Sequence, residues 1–444
     1  MAASSSKKAP PRRFSTSRAT SARATSCAAY WSRGRTHHRP SHSCAKPSSP
    51  VHASGDPMST LENVHASPIH FMSKPAEIEH TQRPLNEASH APGYIYGDPD
   101  VLRREKERIF MKDWLCIAHV DELPNPGDFV THTVIDEPVL IVRNRSGVLQ
   151  AFYNQCRHRG VEVAEGRGNA KIFKCPYHAW SYDLDGKLIG VPFMKEAQGF
   201  DQKNCSLKPV RLDTWGGFIH ISFDPDAEPL SSYMAEYEQE FGMLRQGELR
   251  LGLRWETDFD CNWKFVYENL MDIYHVGVTH ADTIGRYQDQ SSYRYLQLPR
   301  GRASIHYRAK TMSETGSSLF GRLPWIDDDS FARIGYLPPN LTMLARCDYV
   351  RPVTHWPTAV NRTHSVAYFL FPEDKIADPQ FQEKIQTYVK FVEQVLDEDR
   401  GMILSLQRAM NTRGFEPGRM SFMENAIHHA LGYHLERLFG PQSA

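Results

Sequence analysis

The chain is predicted to fold as an α+β protein, because β-rich runs come first and are followed by strands mixed with long helices. Its 444 residues are enough for two domains. Strands are predicted at residues 114–120, 129–134, 138–142, 149–153 and 217–223, and later near 251–260, 303–309, 341–349 and 363–371. Helices are predicted at residues 98–111, 230–243 and 263–275.

Two further helices late in the chain have clear start signals. Asp378 and Pro379 predict a helix N-terminus, with proline at the first helical position. The residues that follow carry an apolar stripe at helical spacing. Ser421 and Glu424 form a capping box, which predicts a last helix that ends near Gly440.

Composition and element order divide the chain into four parts. Residues 1–57 hold ten Lys and Arg, a single acid and no hydrophobic period, so they are predicted to be a disordered leader. This leader resembles a transit peptide, and a true start at Met58 is the rival interpretation. The other parts are an N-terminal arm with a helix, a first metal-binding domain and a second one, predicted at residues 58–113, 114–225 and 226–444.

Charge and hydropathy argue against several classes of protein. The residues after 57 carry 42 basic and 51 acidic side chains, and this mildly acidic body does not suggest a nucleic-acid binder. No run of about 18 apolar residues occurs, so no membrane span is predicted. Eight cysteines in a chain of this length are too sparse for a secreted disulfide framework.

Two cysteine–histidine pairs form the first candidate metal site. Cys156 and His158 are separated by one residue, and Cys175 and His178 follow after sixteen further residues. Each pair is close enough to come from one tight loop, so two loops can hold one centre. Two thiolates and two imidazoles also suit zinc, but zinc fingers use Cys-x2-Cys and His-x3-His spacings. The spacing therefore favours a Rieske centre, in which two His replace two Cys on one iron.

A second pattern combines carboxylates with imidazoles. Glu268, Asp272 and His275 share one face of the predicted helix at about 100° per residue. His280 joins them only if the helix ends or bulges between the two His residues, and Gly277 permits such a break. Two His and one carboxylate with open coordination positions suit non-haem iron(II).

Three adjacent acids on a late helix offer the remaining carboxylate. Asp397 and Glu398 fit a solvated acidic face. Asp399 differs, because it lies seven residues after Val392 and four before Ile403, inside the apolar stripe. An inward carboxylate is costly unless it is paired or bound to a metal. Asp399 is therefore the predicted third ligand of the second site.

Both patterns resemble the large, or alpha, subunits of Rieske non-haem iron ring-hydroxylating oxygenases. Residues 156–160 and 175–186 are similar to the Rieske [2Fe–2S] domain of that family, except that Ala179 stands where the family usually has Gly. Residues 268–280 are similar to its mononuclear-iron motif. The resemblance covers roughly residues 95–440, and it implies a β-rich Rieske domain followed by a helix-grip catalytic domain, an antiparallel sheet with a long helix.

The resemblance also implies cofactors and residue roles. It implies a Rieske-type [2Fe–2S] cluster on the two cysteine–histidine pairs and a mononuclear Fe(II) on His275, His280 and Asp399. The last of these matches the family's Asp in an acidic segment, eight residues before Gln407. Asp272 occupies the position of the acid that links the cluster of one subunit to the iron of its neighbour. Its alternative role is to orient His275 within one subunit, and Glu268 is expected beside the site rather than as a ligand.

The implied enzyme is an NAD(P)H-dependent monooxygenase or dioxygenase that hydroxylates an organic substrate with O2. An aromatic ring or aromatic acid is expected, and Leu270 and Val276 favour an apolar pocket. Choline, carnitine or betaine is the alternative, since nearby aromatic residues such as Trp263 and Phe265 can contact a quaternary amine. A non-catalytic iron–sulfur or zinc protein is the alternative of another class.

The resemblance implies a ferredoxin, an NAD(P)H-dependent reductase, or both as partners. The chain shows no Gly-x-Gly-x-x-Gly dinucleotide fingerprint, which fits a reliance on external electrons. A homotrimer or an α3β3 assembly is implied as well. Cytoplasmic localisation is expected, with the chloroplast stroma as the alternative if residues 1–57 are a transit peptide.

Overall fold

The computed structural model describes residues 76–440. The leader predicted at residues 1–57 and the first part of the arm lie outside this range. Among the described residues, helices that combine the length and the apolar character needed to cross a membrane are absent.

Ten strands precede residue 225 and build two sheets. They are β1 (Leu115–His119), β2 (Asp128–Val134), β3 (Glu137–Arg143), β4 (Leu149–Tyr153), β5 (Arg167–Asn169), β6 (Phe173–Lys174), β7 (Ser181–Tyr182), β8 (Leu188–Gly190), β9 (Pro209–Trp215) and β10 (Phe218–Ser222). Seven of them form an antiparallel sheet in the order β1-β10-β9-β4-β3-β2-β5. The other three form a small sheet in the order β6-β7-β8, which lies between β5 and β9 in the chain.

Seven later strands form one antiparallel sheet in the order β11-β17-β16-β15-β14-β13-β12. They are β11 (Arg250–Phe259), β12 (Gln288–Leu298), β13 (Arg302–Ala309), β14 (Phe331–Leu337), β15 (Leu341–Arg346), β16 (Val350–Ala359) and β17 (Arg362–Phe371). The boundary that we predict near residue 226 lies between β10 and β11, and it stays a prediction.

The helices lie before, between and after these sheets. They are α1 (Ala76–Glu79), α2 (Tyr94–Gly97), α3 (Pro99–Glu105), α4 (Leu230–Tyr233), α5 (Ala235–Phe241), α6 (Trp263–Met271), α7 (Val276–Thr279), α8 (Glu373–Ile376), α9 (Phe381–Ala409) and α10 (Asn425–Phe439). A π-helical turn, Lys106–Phe110, extends α3. The helix predicted at residues 230–243 is instead broken at Met234 into α4 and α5.

The four strands predicted near 251–260, 303–309, 341–349 and 363–371 are confirmed, but β12, β14 and β16 were not predicted. The sequence of β12 is mostly polar at its start, and this strand is the partly exposed edge of the sheet. Gly335 weakens the strand signal in β14, and Pro352 and Pro357 weaken it in β16, because both residue types are disfavoured within strands.

The long helix α9 packs its apolar stripe against the second sheet. Phe371 of β17 contacts Phe381 with a ring-centroid distance of 5.3 Å, and Ile385 and Val392 are buried in the same core. The predicted start at Pro379 is wrong. The regular helix begins two residues later, because the Asp378 carboxylate accepts a hydrogen bond from the Gln380 N–H and shapes a preceding turn. The predicted capping box at the last helix is confirmed.

A buried polar network fixes α6, the helix that leads to the second site. Lys264 Nζ lies 2.6 Å from Glu105 Oε1, and both side chains are fully buried. The same carboxylate accepts hydrogen bonds from the indole of Trp263 and the imidazole of His434. Removal of one partner would leave a buried charge unpaired, which costs several kcal/mol, roughly 3–5. This network therefore links α3, α6 and α10.

Candidate active site

Two loops of matching geometry carry the first set of predicted ligands. In one, the Cys156 N–H donates to Val161 O and the Gly160 N–H donates to Cys156 O, both at 2.8 Å. In the other, the Cys175 N–H donates to the carbonyl of the residue five positions later, and the Ala179 N–H donates to Cys175 O. The fifth residue of each loop has a positive φ, 78° for Gly160 and 58° for Ala179. Ala179 thus adopts a left-handed conformation that a glycine adopts without strain.

The four side chains meet as two pairs of like ligand atoms. His158 Nδ1 and His178 Nδ1 are 3.1 Å apart, and both side chains reach the surface. The thiols of Cys156 and Cys175 are buried and in contact with each other. Separate sulfur and nitrogen pairs match a two-iron cluster in which the cysteines hold one iron and the histidines the other. The arrangement of donors thus fits a Rieske centre.

Aromatic side chains surround these ligands. The ring of Trp180 stacks on His158 at 4.9 Å, and the ring of Tyr177 lies 3.8 Å from that of His178. The buried Tyr182 hydroxyl donates to Cys156 Sγ at 3.4 Å. Hydrogen bonds to ligand sulfur raise the reduction potential of a cluster, because they stabilise the more negative reduced form.

The Tyr182→Phe variant is therefore expected to lower the potential of the cluster. A hydrogen bond of about 1 kcal/mol corresponds to roughly 40 mV for a one-electron couple. Redox titration followed by electron paramagnetic resonance measures this shift, with Tyr177→Phe, at an exposed ring, as the control. An unchanged potential in Tyr182→Phe would show that the hydroxyl does not act on the sulfur.

The local structure of the second site differs from the predicted helix over residues 263–275. Asn262 caps the start of α6 by accepting from the Lys264 N–H, and α6 ends at Met271. Asp272 already has an extended backbone, with φ −81° and ψ 109°, and its Oδ1 accepts from the Tyr274 N–H at 2.7 Å. The chain therefore turns before His275, and the break is not at Gly277. The short helix α7 follows and brings His280 back to His275.

Three ligand atoms converge where α7 faces the long helix. His275 Nε2 and His280 Nε2 are 3.3 Å apart, and Asp399 Oδ1 lies 3.5 Å from the former and 3.0 Å from the latter. Separations of about 3 Å are those of ligands that lie roughly 2.1 Å from one metal ion at right angles. Two imidazoles and one carboxylate on one side of a metal leave its other side open, as non-haem iron requires.

The long helix holds Asp399 in place through Gln407. Gln407 is buried, its Oε1 accepts from the Asn262 N–H at 2.6 Å, and its amide donates to Tyr96 O. The start of α6 and the end of α9 are thus bonded to each other. Asn269 of α6 also donates to Asp399 Oδ1 at 3.3 Å.

Each histidine of this site has a carboxylate at its other ring nitrogen. Asp272 Oδ2 lies 3.0 Å from His275 Nδ1, at an angle that is poor for a hydrogen bond, and Glu398 Oε2 lies 2.6 Å from His280 Nδ1. Such partners fix the tautomer that leaves Nε2 free for a metal. The sequence predicts that Glu398 belongs to a solvated acidic face. This prediction is wrong, because Glu398 also accepts a hydrogen bond from Thr283 Oγ1. Helical spacing alone cannot show that partner.

The carboxylates dominate the electrostatics of the site. Burial lowers the pKa of His275, but Asp272 and Asp399 outweigh this effect and raise the pKa to about 9. Burial also works against protonation of His280, whose pKa is nevertheless raised by Asp399 and Glu398. An anionic pocket that attracts protons to both imidazoles attracts a metal cation in the same way.

Glu268 lies beside this site and is not one of the converging ligands. It is buried, and the hydroxyl of Tyr96 donates to its Oε1 at 3.0 Å. Burial raises the pKa of Glu268 to about 7. Its position agrees with the expected place next to the site.

An apolar cavity opens over the three converging ligands. Leu270 and Val276 line it, as expected, and the other aliphatic side chains come from both the sheet and the long helix, including Ile284, Ile334, Leu344 and Val392. A substrate in this cavity is therefore held against the metal site and away from bulk water.

Two family models match the chain in the order of its two sites. The Rieske [2Fe-2S] domain matches residues 113–207, and the ring hydroxylating alpha subunit (catalytic domain) matches residues 247–435. Together they cover more than half of the chain. The chain belongs to the Rieske non-haem iron oxygenases. It is a large subunit of that family.

This oxygenase is 29% identical to the carnitine monooxygenase oxygenase subunit of Acinetobacter baumannii, over 73% of this chain and 86% of that protein. It is 34% identical to the 2-aminobenzenesulfonate 2,3-dioxygenase subunit alpha of an Alcaligenes species, over 58% of this chain and 66% of that protein. The solved structure of the quaternary ammonium Rieske monooxygenase CntA in complex with L-carnitine matches with a TM-score of 0.69 and 26% identity, over 83% of this chain and 100% of that chain.

A naphthalene 1,2-dioxygenase with bound indole matches with a TM-score of 0.67 and 22% identity, over 81% of this chain and 95% of that chain, which shows the shared fold. The predicted α+β class, with a Rieske domain and a helix-grip catalytic domain, is confirmed. So are the oxygenase activity and its cofactors, a Rieske [2Fe–2S] cluster and a mononuclear iron. Large subunits of this family form multimers and work with electron-transfer partners.

Proposed function

We propose that this oxygenase hydroxylates an aromatic substrate, held in the cavity over a mononuclear iron that His275, His280 and Asp399 bind. The convergence of these three ligand atoms at the floor of an apolar cavity carries the proposal. The cluster ligands are the two cysteine–histidine pairs of the Rieske loops. These pairs lie in the Rieske domain proposed at residues 114–225, after an arm at 58–113, and the iron ligands lie in the catalytic domain proposed at 226–444.

The residues of the chain have separate tasks in this reaction. When bound, the cluster supplies electrons, and the iron supplies the site at which O2 is activated. Glu398 accepts the Nδ1 proton of His280, and the Asp272 carboxylate lies 3.0 Å from Nδ1 of His275. The aliphatic lining, to which Leu270 and Val276 belong, positions the substrate and excludes water.

Within this cavity the lining favours an aromatic substrate over a quaternary amine, whereas a larger neighbouring pocket that also reaches His275 and Asp399 is lined by Tyr96 and Phe265. A quaternary ammonium group needs free aromatic faces. The aromatic ring lining this cavity is Tyr307, over which the guanidinium of Arg346 already lies at 5.1 Å. Trp263, near the iron motif, is fully buried and bonded to Glu105. It is therefore part of the core rather than of the cavity.

A quaternary amine is the second candidate substrate. It is favoured by the relatives that are carnitine monooxygenases and by the CntA structures. Another relative acts on 2-aminobenzenesulfonate, so an aromatic acid is consistent with the same set of relatives.

We further propose that the oxygenase forms a ring of three subunits, as a homotrimer or with β subunits as α3β3. The cluster histidines are exposed, and next to them lie the exposed Tyr177 and the fully exposed Phe193. Around Asp272, the exposed apolar side chains are Tyr274, Val278, Met402 and Leu406. Two apolar faces, one at the cluster and one at the iron, are suited to docking between neighbouring subunits. A solved structure of a quaternary ammonium Rieske monooxygenase is described in terms of inter-subunit electron transfer.

Electrons then come from a separate NAD(P)H-dependent reductase, directly or through a ferredoxin. We propose that the enzyme works in the cytoplasm, or in the chloroplast stroma if residues 1–57 are a transit peptide.

The proposed substrate class is tested with 18O2, a reductase system and matched panels of aromatic compounds and quaternary amines. Labelled oxygen is expected on an aromatic ring. One labelled atom indicates monooxygenation, and two on adjacent carbons indicate a cis-diol dioxygenase. Label that appears only in products from choline, carnitine or betaine would overturn the aromatic assignment in favour of the second candidate.

A further inference from the structure

The turn between β15 and β16 places two arginines on the cavity face of the sheet. Leu344 and Arg346 point to the same side of β15, because side chains alternate along a strand. Arg351 is directly opposite Leu344 in the antiparallel pair, so it shares that side. Both arginines line the cavity together with Asp399 and the two iron-ligand histidines.

Neither guanidinium has a charged partner. Arg346 is 3% exposed and Arg351 is 4% exposed, yet neither lies within ion-pair distance of a carboxylate anywhere in residues 76–440. Arg346 donates to its neighbour's carbonyl at 3.2 Å, Arg351 lies 3.9 Å from the sulfur of Met312, and both Nε atoms lack a partner. The adjacent Asp348 is engaged elsewhere: it accepts from Thr311 at 2.6 Å and from Tyr388 at 2.5 Å.

The aromatic neighbours of the arginines do not compensate for this burial. Arg346 lies over Tyr307 and Arg351 over Phe369, at 5.1 and 5.5 Å. A desolvated cation–π contact stabilises a cation far less than the loss of its water destabilises it. Burial lowers the pKa of Arg351, and the like charge of Arg346 lowers it further. Two adjacent buried cations therefore remain without an ion-pair partner on the sheet, although Asp272 and Asp399 line the same cavity.

We propose that Arg346 and Arg351 form an oxyanion site, which binds the carboxylate or sulfonate of the substrate while its apolar part lies over the iron ligands. This inference rests on the proposed function and adds the substrate's charge to it. Guanidinium groups bind two oxygens of a carboxylate or similar oxyanion with two parallel hydrogen bonds, which fix orientation as well as affinity. The anionic group of the substrate would bind at the sheet, and its apolar part would pack along Leu270 and Val392. The remaining part of the substrate would then face Asp399.

The site also discriminates by charge within each substrate class. An uncharged hydrocarbon leaves both guanidinium groups unpaired, and a cation without an acid group is repelled by them. An aromatic acid satisfies both the arginines and the apolar wall. The arginines are thus specificity-determining residues that bind the end of the substrate which does not react.

The test uses the iron-loaded enzyme and calorimetric titration with benzoate, benzenesulfonate and benzamide, which share one ring and differ in charge. At least one of the two anions is expected to bind roughly 10- to 100-fold more tightly than benzamide, as expected for hydrogen bonds between charged groups. Arg346→Met and Arg351→Met are each expected to remove most of this preference. The control is Arg308→Gln, whose guanidinium is exposed and paired with Asp328.

A second readout separates anion binding from a structural role. Without ligand, both Met variants are expected to unfold at the same temperature as the wild type or higher, because a buried unpaired cation has been removed. A purely structural arginine predicts a lower temperature. If a Met variant does not fold, Arg351→Lys decides instead, since it keeps the charge, loses the planar fork and should bind the anion with intermediate affinity.

The inference is overturned if neither anion binds the loaded wild type, if benzoate and benzenesulfonate bind no better than benzamide, or if the Met variants keep the preference. Iron content and cluster absorbance are recorded on the same samples. Intact metal centres without anion preference contradict this inference alone. Missing iron in the wild type contradicts the proposed function.

Discussion

Asp399→Ala is expected to lose the mononuclear iron and all hydroxylation while the Rieske cluster keeps its visible absorbance. The carboxylate is one of the three converging ligand atoms, 3.0 Å from His280 Nε2. Loss of an outer partner of a metal ligand typically weakens metal binding or activity roughly 10- to 100-fold, and loss of a direct ligand should exceed that range. Iron analysis after reconstitution, together with turnover of the loaded protein, measures both effects.

Asp397→Ala is the matched control, because its side chain lies two residues away on the same helix, is 62% exposed and pairs with Arg400. It should retain full iron and activity. His275→Ala should behave like Asp399→Ala, whereas Cys156→Ser should remove the cluster. Full iron content and turnover in Asp399→Ala, or their loss in Asp397→Ala, would show that the wrong acid of the helix has been chosen.

Asp272→Asn is expected to keep both metal centres and to slow electron delivery to the iron by roughly 10- to 100-fold, the range seen when an outer partner of a metal ligand is lost. Asp272 Oδ2 already contacts His275, and each carboxylate oxygen has two lone pairs, so an N–H from a neighbouring subunit can still be accepted. An amide keeps the shape but loses the charge that attracts two imidazole N–H groups. Rapid mixing of reduced enzyme with substrate and O2 measures cluster reoxidation.

Glu398→Gln provides the control for this experiment. The Glu398 carboxylate lies at Nδ1 of His280, as the Asp272 carboxylate lies at Nδ1 of His275. Glu398, however, belongs to the long helix and also accepts a hydrogen bond from Thr283. With saturating iron, Glu398→Gln should slow cluster reoxidation less than Asp272→Asn does, because it disturbs one histidine and not a link between subunits. Equal rates in the wild type and Asp272→Asn would leave Asp272 with the single role of orienting His275. Equal slowing in both variants would point to the iron ligands rather than to a bridge.

The long helix illustrates how far a sequence pattern can reach. Its apolar stripe predicts that Asp399 faces inward, and Asp399 is 5% exposed. The same pattern assigns Glu398 to the solvent, because a helical wheel shows which side chains leave the apolar face and not what approaches them. His280 and Thr283 come from a distant part of the chain.

The motif helix shows the opposite case. Its sequence continues to favour a helix through His275, yet the helix ends at Met271. The Asp272 side chain accepts from the Tyr274 N–H, and this local hydrogen bond competes with the helical one. The break brings the Nε2 atoms of the two histidines to 3.3 Å from each other. The spacing of the histidines requires such a break but does not show where it lies.

The donor chemistry of both candidate metal centres can be predicted from the sequence, because the proposed ligands come mainly from short segments. Two Cys-and-His loops and one His pair five residues apart preserve their spacing in any fold that contains them. The side chains that surround these ligands depend on the tertiary structure. The oxyanion site proposed at Arg346 and Arg351 depends on the register between β15 and β16. The two prolines of β16 weaken the strand signal in its sequence, so this strand was not predicted. Whether a buried charge has a partner depends on side chains from distant parts of the sequence, and the local spacing of residues does not show which of them lie nearby.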